Sequence, residues 1–95
     1  MECLIMTHHA EARSRQRGIT YDAIKVILAF GRQEPTRYSC HAVFMDKAGR
    51  RQARKELGQA GYARIEARLD VCVILGRDDQ VVTCTHRARR LKRAA

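Results

Sequence analysis

The chain has no tryptophan, a single proline, and only three tyrosines and two phenylalanines. A core without large rings must be filled mainly by Ile, Leu, Val and Ala, and 95 residues allow one such core and no second domain. Acids are scarce as well: 10 Asp plus Glu stand against 19 Lys plus Arg, a net charge of +9 that favours polyanionic partners. No apolar run is long enough to span a bilayer, which argues against a membrane protein. The opening MECLIM is too short to hold a hydrophobic region and a cleavage site, so a cytoplasmic protein with reduced thiols is expected. Cys3, Cys40, Cys72 and Cys84 form no CxxC pair and no short Cys/His spacing, which excludes a zinc ribbon. The thiols are expected to behave as small hydrophobes, and no metal or cofactor is implied.

What the chain has instead is clustered positive charge. From His86 it reads HRARRLKRAA, holding Arg87, Arg89, Arg90, Lys92 and Arg93 with no acid, which leaves +4 for the rest. A second cluster comprises Arg50, Arg51, Arg54 and Lys55. Each fits either a solvated surface or a nucleic-acid contact, and counterion release would make such a contact strongly salt-dependent.

Periodicity orders the elements. A first helix is predicted from the cap Thr7 to Gly18, and a second from the cap Thr20 to Gly31, with Tyr21, Ile24, Ile27 and Leu28 at helical spacing. Beyond the only proline, Pro35, residues 38–45 are predicted as a strand. Residues 50–57 read as a short surface helix stopped by Gly58 and Gly61, and residues 62–68 match a helix face and a strand alternation equally. The runs LDVCVIL and QVVTCT, parted by Gly76, Arg77, Asp78 and Asp79, predict a β-hairpin. Together these describe an α+β domain, an N-terminal helical hairpin packed on one face of a small, mostly antiparallel sheet with a C-terminal β-hairpin.

The segment HAEARSRQRGI sets His9, Arg13 and Arg17 four residues apart, within an arc of roughly 80° on a helix. An imidazole that moves protons near neutral pH, beside two guanidinium forks suited to phosphate, is the equipment for metal-independent RNA cleavage. In that reading His9 is acid or base and Arg13 and Arg17 clamp the phosphate. Thr83 or Thr85 would donate to a nonbridging oxygen, and His86 would supply the second proton-transfer group. The competing reading makes His9 a helix brace, pairs both arginines with Glu11, Asp22 or a hairpin carbonyl, and leaves Thr83 an ordinary strand residue. Tyr38 and Tyr62 would either stack a base or pack in the core.

HAEARSRQRGI, with Ile24, Leu28 and Gly31 and the closing VCVILGRDDQVVTCTHR, resembles the bacterial domain-of-unknown-function family numbered 4258 over residues 7–87. The resemblance makes residues 1–6 an extension, of which 1–5 are expected to be weakly ordered, and 88–95 a basic tail. It also implies a likeness to RelE-like and barnase-like ribonuclease folds, hence a toxin-like domain that cleaves or binds RNA. Two further functions stay open at this point, a noncatalytic nucleic-acid or ribosome binder and an accessory module for a protein partner such as an antitoxin.

Overall fold

A computed structural model describes residues 5–86. The chain runs α1 (His8–Gln16), α2 (Tyr21–Phe30), β1 (Arg32–Pro35), β2 (His41–Phe44), α3 (Lys47–Ile65), a short 3-10 turn (Glu66–Arg68), β3 (Val71–Leu75) and β4 (Val81–His86). The four strands form an antiparallel sheet in the order β1-β2-β3-β4. Among the described residues no helix is long and apolar enough to cross a membrane.

Both early helices begin where their caps dictate. The Thr7 hydroxyl accepts from the Ala10 N–H at 3.1 Å and the Thr20 hydroxyl from the Ala23 N–H at 3.2 Å, satisfying donors that a helix start leaves unpaired. Gly18, at φ 66°, ends the first turn of chain after α1 in the left-handed region. The second helix carries the stronger apolar stripe and buries Ala23, Ile24 and Ile27.

Side chains alternate along the strands, so the sheet has a core face and an open face. Val43, Val73 and Cys84 are register neighbours across β2, β3 and β4 and are fully buried with Ile24, Ile27, Ala10 and Ala53. Ala42, Ile74 and Thr83 are register neighbours on the opposite face and are only half-buried. All three helices thus bury side chains against one side of the sheet. Cys72 and Cys84 lie on adjacent strands but on opposite faces, which separates them as a pair.

The middle of the chain departs from the sequence expectation. Residues 38–45 are not one strand: Tyr38 and Ser39, at φ 56° and 60°, turn the chain between β1 and β2. β1 is RQEP, exposed along its length, so it carries no apolar period by which to be read; its pairing with β2 alone makes it a strand. As the open edge of the sheet it bears Arg32, Glu34 and Pro35, residues that discourage pairing with another chain.

Of the two predicted glycine stops, Gly58 interrupts the helix expected at 50–57 and Gly61 does not: α3 begins at Lys47 and resumes beyond Gly58 to Ile65. Asp46 caps it by accepting from the Gly49 N–H at 2.7 Å, and residues 62–65 resolve as helix. Gly58, at φ 83° and ψ 161°, leaves the helical conformation and divides α3 into two helical segments that meet at an elbow. Arg54 lies over the Tyr62 ring at 5.1 Å, spanning that elbow.

The other edge of the sheet, β4, is covered. Val81 donates its N–H to Ile5 at 2.9 Å and its carbonyl accepts from the Thr7 N–H at 3.0 Å, while Met6 packs against the core. Ile5 and Met6, assigned from the sequence to an extension, lie along the edge of β4, where the Val81 N–H donates to the Ile5 carbonyl and Met6 bridges to Val81.

The two glycines of α3 should respond oppositely to alanine. Gly58 occupies a backbone region essentially reserved for glycine, so Gly58→Ala is expected to destabilise by about 1–3 kcal/mol. Gly61 is helical, and a Cβ there would meet only the Leu57 Cβ at an ordinary 3.5 Å. Gly61→Ala is expected to stabilise by roughly 0.5–1 kcal/mol. Urea denaturation of the two variants checks the pair; two changes of the same sign would refute the elbow.

Candidate nucleic-acid interface

The sequence offered three places for phosphate, the α1 stripe, the cations of α3 and the basic run 87–93, of which the first two lie among the described residues. At the α1 stripe, Arg13 donates from Nε to His9 Nε2 at 3.4 Å, and both sit on the accessible side of the helix. Arg17 does not join them on a phosphate clamp. Its Nη1 donates to the Cys84 carbonyl at 3.0 Å, across the edge of β4.

His86 completes a clasp with the same residue. Its Nε2 lies 2.8 Å from the Arg17 carbonyl, and since a carbonyl only accepts, Nε2 carries the proton and donates. One guanidinium and one imidazole thus tie the end of α1 to the end of β4, with the Thr7 hydroxyl donating to the Val82 carbonyl at 3.4 Å farther along. An edge strand needs donors for its outward carbonyls, and α1 supplies them.

Thr83 and Thr85 do not complete the predicted constellation. Strand alternation directs them to the open face with Ile74 and Cys72, whereas Ala10 of α1 packs with the core on the other face. The structure therefore brings Arg17 to His86 and Arg13 to His9, and turns Thr83 away from the side on which α1 packs. Among the described residues no group of His, Cys, Asp and Glu could hold a metal ion.

Burial pushes the Cys84 thiol above its ordinary value, and the nearby Arg17 guanidinium opposes this with a weaker pull downward. Cys84 is therefore a protonated core residue at neutral pH. A raised folded-state value contributes stability below the ordinary thiol value of 9.0, and that contribution is lost as pH rises through the higher folded-state value. A chromogenic disulfide reagent at neutral pH should modify half-buried Cys40 well before Cys84; equal rates in the folded protein would contradict the burial.

The α3 cluster is arranged differently. This helix carries Lys47, Arg50, Arg51, Arg54, Lys55 and Arg64 against the single acid Glu56. Arg50 is used inside the fold, where its Nη2 pairs with Asp70 at 2.6 Å and fastens α3 to the approach of β3. Arg54 is braced on Tyr62. Arg51 and Lys55, one turn apart, are exposed and, among the described residues, hold no ion pair.

Arg51, Gln52, Arg54, Lys55 and Gln59 line an open hollow of about 490 Å³ beside the elbow at Gly58. The Gln52 amide donates to Glu56 at 3.5 Å, which engages the one carboxylate of this helix. Three cations and two amides around a solvent-filled hollow suit an anion with several acceptor oxygens. The sequence identified Arg51, Arg54 and Lys55 by charge, but not the hollow that they line with Gln52 and Gln59. Arg87, Arg89, Arg90, Lys92 and Arg93 lie outside the described residues.

No family model, curated protein or solved structure matches this chain. Its interface is therefore read from geometry. The two tyrosines divide: Tyr62 is buried under Arg54, while Tyr38, 88% exposed at the tip of the β1–β2 turn, is the most accessible large ring among the described residues.

Proposed function

We propose that this protein binds single-stranded RNA without cleaving it, holding the phosphate backbone at the basic hollow of α3. The observation that carries this reading is the pair Arg51 and Lys55, exposed and, among the described residues, outside any ion pair, beside Arg54 in a hollow of about 490 Å³. A local hollow admits phosphates of a flexible strand one at a time, as a basic groove does in proteins that track single strands. RNA is the class implied by the sequence resemblance. Binding is favoured over catalysis because the groups that cleavage would need are not gathered at His9: Arg17 is held on the Cys84 carbonyl, and Thr83 and Thr85 face the other side of the sheet.

The test is fluorescence anisotropy with a labelled single-stranded RNA, followed by electrophoresis of the same RNA. The reading predicts saturable binding that weakens steeply with salt and an RNA of unchanged length. Absence of binding at low salt would overturn it. Shortened RNA, lost in a His9→Ala variant, would overturn it in favour of the nuclease reading.

A further inference from the structure

A second concavity lies between α2 and the C-terminal half of α3. Val26, Leu57 and Ile65 give it apolar walls, Gly61 leaves its floor without a side chain, and Leu57 is 40% exposed within it. Lys25, Arg64 and Arg68 stand at its rim with Asp22 as the one opposing acid. Among the described residues neither Arg64 nor Arg68 is in an ion pair, and Lys25 has only the Tyr21 ring, at 5.7 Å.

The volume, about 450 Å³, lies within the range of small-molecule sites, and apolar walls with a few charged groups at the mouth are their usual composition. An excess of cations above an apolar bed selects for a ligand with both properties. We infer that this groove binds a small organic anion, an aromatic or aliphatic body of about ten carbons bearing one carboxylate, with its body on Val26, Leu57 and Ile65 and its charge between Arg64 and Arg68. The inference is independent of the RNA reading, because the groove shares no lining residue with the hollow at Arg51 and Lys55.

The side chains explain why both halves of such a ligand are needed. Burying the body removes apolar surface of Leu57 and its neighbours from water, a gain open to any hydrophobe. The carboxylate adds charge-assisted hydrogen bonds to guanidinium forks that are planar and always charged. A neutral molecule of the same shape keeps the first and loses the second.

The probes are 4-phenylbutyrate and its neutral analogue 4-phenylbutan-1-ol, titrated into the full chain and followed by amide shifts in two-dimensional NMR. The acid is expected to give saturable shifts centred on Val26, Leu57, Gly61 and Ile65 with a Kd of about 1 mM, and the alcohol to bind at least about fivefold more weakly. Gly61→Leu should fill the floor and abolish binding. The paired exposed change Arg64→Gln and Arg68→Gln should weaken the acid at least about fivefold and leave the alcohol unaltered. Arg51→Gln with Lys55→Gln should leave the acid's affinity unchanged. Shifts that spread over the surface without saturating, equal binding of acid and alcohol, or full affinity in the Arg64 and Arg68 variant would each overturn the assignment.

Discussion

Replacing Arg51 and Lys55 together by glutamine is expected to weaken RNA binding by roughly 10- to 100-fold at low salt and to leave the fold intact. The estimate takes about 1 kcal/mol for each solvent-exposed phosphate contact, below the about 1.5–3 kcal/mol of a well-shielded hydrogen bond to a charged group, and about 1.4 kcal/mol per tenfold in affinity. Both side chains are exposed and neither is in an ion pair among the described residues, so their removal disturbs no internal partner. Arg54 is left in place because it braces Tyr62. Loss of two contacts to a single strand should also reduce the slope of log K against log salt by about 1.4. The matching control is Arg50→Gln, which removes the pair with Asp70 and should lower stability modestly with little change in RNA affinity. If the double variant binds as the native chain does, α3 is not the interface.

The largest effect on stability is expected at Gly31. An added Cβ there would lie 2.5 Å from the Ile27 carbonyl oxygen and 2.9 Å from that of Phe44, both backbone atoms, with Val43 Cγ1 at 3.1 Å. Neither carbonyl can yield without moving the end of α2 away from β2, and that junction sits over fully buried Ile27 and Val43. Gly31→Ala should therefore cost about 3 kcal/mol, at the upper end for overpacking a well-ordered core. Against a total stability of roughly 5–15 kcal/mol, such a loss would be plain in urea denaturation. The φ of Gly31 is −79°, so the penalty comes from close approach and not from backbone strain.

Caps and periods made much of this fold legible. Thr7, Thr20, Gly18 and Gly31 mark both early helices in the sequence because each acts within a few residues of itself, and the hairpin of β3 and β4 is written in two β-branched runs around a turn. What escaped the sequence was non-local. β1 is a strand only by virtue of β2, so RQEP has no pattern of its own. Gly58 interrupts the helix as its residue type suggests, but the helical segment that resumes beyond it was readable only as one of two equal patterns over 62–68.

The site was legible as composition and not as geometry. His9 and Arg13 share a face of α1 as their spacing requires, but Arg17 caps the end of that helix beside β4, whose outward carbonyls need donors. Arg17 is drawn to the Cys84 carbonyl and His86 to the Arg17 carbonyl, two bonds between residues more than sixty positions apart. Arg50 was grouped with its neighbours by charge, and only the fold separates it from Arg51 by setting Asp70 within 2.6 Å. A charge count cannot tell a cation bound inside the domain from one presented to a partner.

The most direct test is an amide NMR titration of the full chain with a ten-nucleotide single-stranded RNA, with the RNA recovered and sized afterwards. Binding at the basic hollow predicts shifts concentrated at residues 51–59 and a strand of unaltered length. Shifts confined to His9, Arg13, Arg17 and His86 with a cut strand, or confined to residues 87–93 with α3 unmoved, would contradict it.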